Sequence, residues 1–280
     1  MDIVIQQSRL TDDDFKKFSA LVFAQTGIFL KPEKKELLNA RLGKRLRACG
    51  ITSFSAYYDY VVRDKSGAEL VHLINCVSTN FTSFFREKAH FDFLETEVLP
   101  GFLKSGQTSA VMKVWSAACS SGEEPYTLAM VLSSFAAAHP AFRFSLLATD
   151  ISTRVLAMAE VGIYAMDKVD KVPPEHLRRF FQKGVGKCAG FVKVKDELRR
   201  TLTFRRFNLM DPFPWKGEMD VIFCRNVMIY FTRETQMELV EKFYHCLAPG
   251  GYLFIGHSES LSNVNHRFRQ AATTVYRKLS

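Results

Sequence analysis

Residues 111–125, with the sequence VMKVWSAACSSGEEP, decide the fold. The apolar run 111–118 predicts a buried strand, and the small residues after it predict a tight loop that leads into a helix from Ser121. A strand, a short loop and a helix form the repeating unit of a doubly wound α/β sheet, in which ligands bind beyond the carboxyl ends of the strands. This loop therefore predicts where a ligand site lies.

The residues of this loop indicate which kind of ligand it accepts. The loop lacks a GxGxxG pattern, and Glu123 and Glu124 occupy the helix start, where a pyrophosphate site offers bare amides and avoids carboxylates. A phosphate ligand is disfavoured, and a ligand with positive charge, such as an ammonium or a sulfonium, is favoured. Taken alone, the two glutamates are also compatible with simple electrostatic stabilisation of the helix N-terminus.

Further apolar runs predict the rest of a mostly parallel sheet. These strand candidates are 144–149, 202–207, 219–224 and 251–256, with a candidate edge strand within 268–279. The helices predicted between some of them are 121–138, 152–160 and 233–247. A glycine-containing stretch of alternating residues, 183–200, predicts a small β excursion.

Residues 1–90 have a different, helical pattern, with amphipathic stretches at 12–25, 33–49 and 68–76. In the second stretch, Lys34, Arg41 and Arg45 form one stripe beside a leucine stripe. Residues 31–47 carry seven basic and two acidic side chains, a large part of the formal net charge of +9. A solvated basic face and a surface for an acidic partner both remain open.

Composition is that of an ordinary globular protein, with 280 residues of which 47% are hydrophobic. The start shows no basic cluster followed by an apolar run, and no 18 consecutive apolar residues occur, so we expect a cytoplasmic protein without membrane insertion. The six cysteines form no CxxC pair and have no histidine at ligand spacing, which predicts free thiols and no metal site. We also expect a monomer.

Polar residues follow the other predicted strands, where a doubly wound sheet binds ligands. Asp150 follows the second strand, at about the distance from Gly122 at which such sheets place a carboxylate for ribose hydroxyls, although a helix cap is an alternative. Asn208 and Leu209 follow the third strand, and residues 225–227 follow the fourth. The upstream stretch 78–87 predicts either a helix start with core phenylalanines or a lid over a cofactor.

Five blocks of the chain resemble the CheR family of chemoreceptor glutamate methyltransferases. They are 80–87 (NFTSFFRE), 115–126 (WSAACSSGEEPY), 148–151 (ATDI), 222–231 (IFCRNVMIYF) and 256–259 (GHSE). The resemblance implies an α/β, class I SAM-dependent methyltransferase fold with a Rossmann-like, mostly parallel seven-stranded sheet. It also implies an N-terminal all-α domain, placed at 1–90, a methyltransferase domain at 91–280 and a small inserted β-subdomain at 183–200.

The same resemblance implies an O-methyltransferase that forms glutamate methyl esters on the cytoplasmic domain of chemoreceptors during chemotaxis adaptation. The cofactor would be S-adenosyl-L-methionine and the product S-adenosyl-L-homocysteine. The expected cofactor contacts are Asn80, Thr82, Arg86, Glu123 or Glu124 with Glu124 favoured, Asp150, Asn208, Leu209, Arg225, Asn226 and Val227. Arg86 and Tyr230 are the expected catalytic residues, both as positioners. Arg86 would hold one oxygen of the target carboxylate or shape the field at the cofactor, and the Tyr230 hydroxyl would fix the orientation of that carboxylate. The alternatives are a salt bridge from Arg86 to a nearby acid such as Glu87, and a tyrosine that belongs to the core. The inserted β-subdomain, whose loop 184–190 resembles the longer type, is expected to dock a receptor's C-terminal peptide.

Two other functions compete with this interpretation. A methyltransferase of the same fold acting on nucleic acid would suit the basic charge. Residues 224–227 read CRNV, however, instead of the Asp/Asn-Pro-Pro-aromatic turn with which base-amino methyltransferases grip an exocyclic nitrogen, so we expect no nucleic-acid substrate. A binding module that retains cofactor affinity without catalysis is the third possibility.

Overall fold

The computed structural model describes residues 9–104, 111–262 and 264–279. These residues divide into two compact units. The first comprises the described residues up to Thr79 together with Tyr230–Thr235, and the second comprises Asn80–Ile229 and the residues from Gln236 onward. The first unit ends at Thr79, before the predicted domain boundary at residue 90. It also includes the short segment Tyr230–Thr235, which the sequence analysis placed in the second domain.

The first unit is built from helices. They are α1 (Asp12–Thr26), α2 (Lys35–Cys49), α3 (Phe54–Arg63) and α4 (Ala68–Val77). Thr11 and Asp14 form a capping box at the start of α1, and Gly27 ends that helix in a left-handed conformation with φ 70°. The sequence predicted α1, α2 and α4 to within about two residues. It missed α3 because exposed apolar residues, Tyr60 and Val62, blur the stripe that buries Phe54, Tyr57 and Val61.

The basic stripe of α2 is mainly structural. Arg45 forms a bidentate ion pair with the buried Glu69, with Nε–Oε1 and Nη2–Oε2 distances of 2.8 and 2.6 Å, and Tyr57 donates its hydroxyl hydrogen to the same carboxylate at 2.6 Å. Arg41 Nη1 donates to the carbonyl oxygens of Cys76, Val77 and Ser78, at the end of α4. Two of the three stripe residues therefore hold the unit together and are not available as a free basic face.

The segment Tyr230–Thr235 joins this unit through the backbone. Phe29 donates its N–H to the carbonyl oxygen of Tyr230 at 2.8 Å, and Ile28 forms an isolated antiparallel bridge with Phe231. A contact between residues so far apart in the chain leaves no periodic signal in the local sequence, and the sequence did not predict it.

The second unit alternates strands and helices. In chain order they are α5 (Ala89–Phe93), α6 (Leu99–Lys104), β1 (Val111–Ala117), α7 (Glu123–Ala138), β2 (Arg143–Asp150), α8 (Thr153–Val161), β3 (Ile163–Ala165), α9 (Pro174–Phe180), β4 (Phe181–Lys183), β5 (Phe191–Val194), α10 (Asp196–Arg199), β6 (Leu202–Arg206), β7 (Met219–Cys224), α11 (Arg233–Cys246), β8 (Leu247–Ile255), β9 (Arg269–Ala272) and β10 (Val275–Arg277). Although α11 is continuous, its first residues group with the first unit. Among the described residues, none of the helices combines the length and apolarity that a membrane crossing requires.

In the described residues of the second unit, seven strands form one sheet in the order β6-β2-β1-β7-β8-β10-β9. All pairings are parallel except those of β10 with β8 and with β9. The predicted seven-stranded, mostly parallel sheet is confirmed. The C-terminal edge, expected as one strand, is instead a hairpin whose turn contains Thr274 at φ 56°. The topology reverses direction between β1 and β7, which is the switch point where such sheets bind ligands.

A second sheet is inserted between β2 and β6. Its three described strands are antiparallel in the order β3-β5-β4, and they pack through Tyr164, Val192 and Val194. The range predicted from the sequence, 183–200, covers β5, the whole loop before it and the last residue of β4. The sheet begins earlier, at Ile163, and Asp196–Arg199 is a helix; strands of three residues are too short to show the alternation on which the prediction relied.

Replacing Arg45 with Met should destabilise the protein strongly. The change leaves the Glu69 carboxylate buried beside Tyr57 without its cation. Losing one partner of a buried pair costs roughly 3 kcal/mol, the lower end of the usual range, because Arg45 keeps partial exposure. Denaturant unfolding of the full chain would measure this. Glu36→Gln, which breaks the exposed pair with Arg9, is the control and should change the midpoint little; equal effects would contradict the structural role of Arg45.

Candidate active site

The loop after β1 has a backbone that few residues tolerate. Ala118, Ser120 and Gly122 alternate in the left-handed region, with φ of 65°, 52° and 99°. A Cβ on Gly122 would lie 2.7 Å from the Tyr164 hydroxyl oxygen and 2.8 Å from the Cβ of Ala159. Only glycine fits here, because the start of α7 packs directly against the inserted sheet and α8.

The two glutamates at the start of α7 have different surroundings. Glu123 is buried and accepts a hydrogen bond from the Ser121 hydroxyl at 2.7 Å. Glu124 accepts from the Ser116 hydroxyl at 2.7 Å through Oε1 and from Arg225 Nη1 at 3.1 Å through Oε2. Burial raises the pKa of both carboxyls, and these hydrogen bonds oppose the rise. That Glu124, and not Glu123, contacts the cofactor stays a prediction.

Asp150 connects the ends of β1 and β2. Its Oδ2 accepts the N–H of Ser120 and its Oδ1 accepts the N–H of Ser152, both at 2.9 Å. The cap of α8 is Ser152, whose hydroxyl accepts from Val155. Burial raises the pKa of Asp150, and the backbone N–H groups lower it in part. The carboxylate therefore braces the loop of the predicted cofactor site, and its contact with ribose stays a prediction.

Asn226, at the end of β7, is held by a glutamate that the sequence analysis did not place in the site. Glu259 Oε2 accepts the N–H of Asn226 at 2.9 Å and the N–H of Gly256 at 2.6 Å. Asn226 is left-handed, with φ 59°, and a Cβ on Gly256 would lie 2.3 Å from its Nδ2. The 256–259 block is thus a support for Asn226, and the only signal for Glu259 was its place in that block.

Glu87 is the second acidic residue that the sequence analysis missed. Its Oε2 accepts from Arg225 Nη2 at 2.9 Å and its Oε1 accepts from Asn226 Nδ2 at 3.3 Å. Burial opposes ionisation of this carboxyl, but the hydrogen bond and charge of Arg225 outweigh it and lower the pKa of Glu87 to about 2. Arg86 also forms an ion pair with this carboxylate, as its place in the sequence suggested, but at the longer Nε–Oε1 distance of 4.0 Å.

Arg86 is partly exposed, and its neighbours in the turn are buried. Its Nη1 donates to the Phe81 carbonyl oxygen at 2.9 Å, and its guanidinium lies 5.6 Å from the centroid of the exposed Phe81 ring. Phe84 packs edge-on against Tyr164 and Phe181 in the core, and Phe85 is also buried. The alternative of core phenylalanines is therefore confirmed for Phe84 and Phe85, and a lid formed by the rest of the stretch 78–87 stays a prediction.

The remaining predicted contacts lie at strand ends or in the segment before α5. Asn80 Nδ2 and the Ser120 hydroxyl are buried and have no hydrogen-bond partner within the described residues. Such groups need a ligand or water to satisfy them, which fits a polar cofactor. Leu209 is buried, whereas Thr82, Asn208 and Val227 are half-buried. Tyr230 groups with the first unit, and its catalytic role stays a prediction.

Glu87, His90 and His257 bring potential metal-ligand atoms within 4.8 Å of one another. The Thr274 hydroxyl donates to the Thr273 carbonyl, so His90 Nε2 must donate to Thr274 Oγ1, at 2.8 Å. Burial, reinforced by Arg225, lowers the pKa of His90 to about 3. Glu87 Oε2, which lies 3.6 Å from His90 Nδ1, accepts a hydrogen bond from Arg225 Nη2. The Arg225 guanidinium is therefore the cation that this carboxylate binds.

The arrangement defines a class of protein. A doubly wound, mostly parallel seven-stranded sheet with buried carboxylates at its switch point is the architecture of a SAM-dependent methyltransferase. The chain belongs to the CheR methyltransferase family. Residues 80–277 match the family's SAM binding domain and residues 13–78 match its all-alpha domain.

Curated relatives agree with this assignment. The chain is 38% identical to the chemotaxis protein methyltransferase of Escherichia coli, over 95% of this chain and 91% of that protein. It is 37% identical to a probable chemotaxis protein methyltransferase of Rhizobium etli, over 92% and 96%, and 38% identical to the protein of Borreliella burgdorferi, over 94% of each. The resemblance inferred from the five sequence blocks is confirmed, as are the methyltransferase activity in chemotaxis and SAM as the cofactor.

Replacing Gly122 with Ala should weaken cofactor binding. The added Cβ would collide with Ala159 and displace the first turn of α7, which carries Glu123 and Glu124. We expect at least a tenfold loss of S-adenosylhomocysteine affinity, measured by calorimetry. Gly217→Ala is the matched control, because Gly217 is also left-handed, at φ 63°, but has open space around it.

The control should lose about 1 kcal/mol of stability from backbone strain and keep its cofactor affinity. Equal affinities of the Gly122 variant and the wild type would show that the loop does not position the ligand-binding carboxylates.

Proposed function

We propose that this chain transfers the methyl group of SAM to glutamate side chains on the cytoplasmic domain of chemoreceptors, forming methyl esters and S-adenosylhomocysteine. The observation that carries the proposal is Arg86, a partly exposed guanidinium in the SAM binding domain, next to Glu87 and the buried ion network. A cation in this position suits an acceptor that is itself an anion.

A glutamate acceptor requires little chemistry of the enzyme. Its carboxylate is already ionised at neutral pH, so transfer from the sulfonium needs no general base. The enzyme must align the carboxylate oxygen, the methyl carbon and the sulfur, and alignment of this kind is worth up to roughly 7 to 11 kcal/mol. Positioning residues are therefore the expected catalytic groups.

Arg86 has the geometry of such a positioner. One of its N–H groups binds the Phe81 carbonyl, and this contact fixes the guanidinium without neutralising it. A guanidinium has five N–H donors in a planar fork, so others remain for a carboxylate. We propose that Arg86 binds one oxygen of the target glutamate beside the methyl donor.

The charge of the second unit supports an acidic partner. Residues 167–206 carry twelve basic and five acidic side chains. In the first unit, Lys31, Lys34 and Lys44 remain exposed although Arg41 and Arg45 are used internally. Charge of this sign raises the rate of encounter with an acidic surface, and a receptor region rich in glutamate is such a surface.

We also propose that the protein acts in the cytoplasm. All six cysteines are free thiols, and Cys119, Cys224 and Cys246 are buried. Free cysteines in this number suit a reducing compartment.

The inserted sheet supports the proposal of peptide docking. Within the described residues its outer strands, β3 and β4, each pair on one side with β5, so each has an edge to which an extended peptide can add. Ile163, Phe191 and Val185 expose apolar side chains on this sheet and its loop, with Val185 82% exposed. A receptor's C-terminal peptide, extended and ending in a carboxylate, matches an apolar and basic edge.

The proposed activity predicts methyl transfer that depends on Arg86. Wild-type protein should transfer tritiated methyl from SAM to acidic receptor fragments, and base should release the label as methanol, the signature of an ester. Arg86→Ala should lower kcat at least a hundredfold, because the target carboxylate loses its cation, and the variant should remain folded. Near-normal turnover by Arg86→Ala would refute its role.

Lys88→Ala removes a neighbouring cation that is exposed and paired with Asp92. This control should keep wild-type turnover. Label that resists base, or that appears on nucleic acid, would overturn the proposed acceptor itself.

Docking predicts that receptor fragments bind more tightly with their terminal residues than without them. Val185→Ala and Phe191→Ala should reduce this difference at least threefold, whereas Val111→Ala, at an exposed position outside the inserted sheet, should preserve it. Calorimetric titration of both fragments against each variant measures the difference. Equal affinity of the wild type for receptor fragments with and without the terminal residues would contradict the docking proposal.

A further inference from the structure

Arg225 is a charged side chain removed from solvent. It follows β7, and its side chain is 1% exposed. Its guanidinium lies over the rings of Phe91 and Phe223, at 5.5 and 6.0 Å from their centroids. A cation in such surroundings must be fully compensated, so its partners show what it does.

Those partners come from two other segments of the second unit. Nη1 donates to Glu124 Oε2 at 3.1 Å, at the start of α7. Nη2 donates to Glu87 Oε2 at 2.9 Å and to the main-chain carbonyl oxygen of Arg86 at 2.5 Å. One side chain therefore ties the end of β7 to the first turn of α7 and to the segment that carries Arg86.

That segment needs external support. Phe85 and Glu87 are both left-handed, with φ of 52° and 57°, and Arg86 lies between them. Bulky non-glycine residues adopt this conformation at a cost, and they persist in it only where surrounding contacts hold them. The Thr127 hydroxyl, which accepts the Phe85 N–H at 3.1 Å, is one holding contact, and Asn226 Nδ2, which donates to Glu87 at 3.3 Å, is another. The Arg225 side chain hydrogen-bonds to both Arg86 and Glu87.

We propose that Arg225 is a positioning residue. Its guanidinium fixes the backbone of Arg86 and the carboxylate of Glu87, and thereby aims the Arg86 side chain at the methyl acceptor, without itself binding SAM. This role rests on the proposed function of Arg86 and differs from the sequence prediction, which placed Arg225 among the cofactor contacts. Both terminal nitrogens are occupied, Nη1 by Glu124 and Nη2 by Glu87 and Arg86, whereas Nε is buried and has no hydrogen-bond partner in the part of the chain that the structure describes.

A double-mutant cycle between Arg225 and Arg86 tests the proposal on full-length protein. Arg225→Lys keeps the charge but cannot reach Glu124, Glu87 and the Arg86 carbonyl together. If Arg225 acts through Arg86, Arg225→Lys should lower kcat at least tenfold in the wild type and less than threefold in the Arg86→Ala background. Losses that multiply would overturn the proposal, as would full activity of Arg225→Lys.

Cofactor binding separates positioning from direct contact. Arg225→Lys should change the affinity for S-adenosylhomocysteine by no more than Arg86→Ala does. A loss of affinity in Arg225→Lys that Arg86→Ala does not share would show that Arg225 supports the cofactor, directly or through Glu124, and would overturn the proposal. Arg199→Lys is the matched control, because Arg199 also bonds a carbonyl and a carboxylate, those of Glu160 and Asp196, outside the active site.

A readout independent of methyl transfer keeps this test apart from that of the proposed function. Hydrogen exchange of peptides covering residues 80–90 should be at least tenfold faster in Arg225→Lys than in wild type or Arg199→Lys. It should also be at least tenfold faster in Thr127→Val, which removes the hydrogen bond to the Phe85 N–H. Unchanged exchange in Arg225→Lys would overturn the positioning role even if the enzyme is active. If the wild type forms no ester, the proposed function fails whatever the exchange shows.

Discussion

Compensation of buried charge at the end of β7 is the constraint on which the site depends. The Glu87 and Glu124 side chains are largely buried at the switch point, and buried carboxylates are stable as anions only beside a cation. The Arg225 guanidinium lies between them, 2.9 and 3.1 Å from the nearest oxygens. Because each partner belongs to a different segment, the chain can satisfy these charges only when the segments meet in one arrangement.

The same charges explain why the site suits its cofactor. Arg225 is one cation facing two carboxylates, and Glu123 and Asp150 add further acidic groups at the ends of β1 and β2. A pyrophosphate would meet repulsion here, whereas the sulfonium and ammonium of SAM would meet attraction. Burial raises the pKa of Glu123, Glu124 and Asp150, and a bound cation would oppose that rise.

Local patterns allowed the sequence to predict much of this structure, and long-range contacts limited it. Buried parallel strands such as β7 are apolar runs, interrupted in β7 only by Asp220, and their carboxyl ends mark where Asp150 and Asn226 lie. The sequence did not predict the roles of Glu87 and Glu259, because their partners, Arg225 and Asn226, lie far from them in the chain. The basic stripe of α2 could not be interpreted from the sequence for the same reason. The helical pattern shows that Arg45 lies on the same face as Lys34 and Arg41, but it does not show that Glu69 packs against Arg45.

Strain in this unit concentrates at the site. Phe85, Glu87, Ala118, Ser120 and Asn226 are left-handed, and all lie at the carboxyl ends of β1 and β7 or in the turn before α5. Residues in this conformation resist small adjustments, since neighbouring backbone conformations are sterically forbidden. In-line transfer to a carboxylate depends almost entirely on alignment, so a rigid and strained frame serves it better than a flexible one. We propose that the strain held in these five residues contributes to the fixed geometry that such alignment requires.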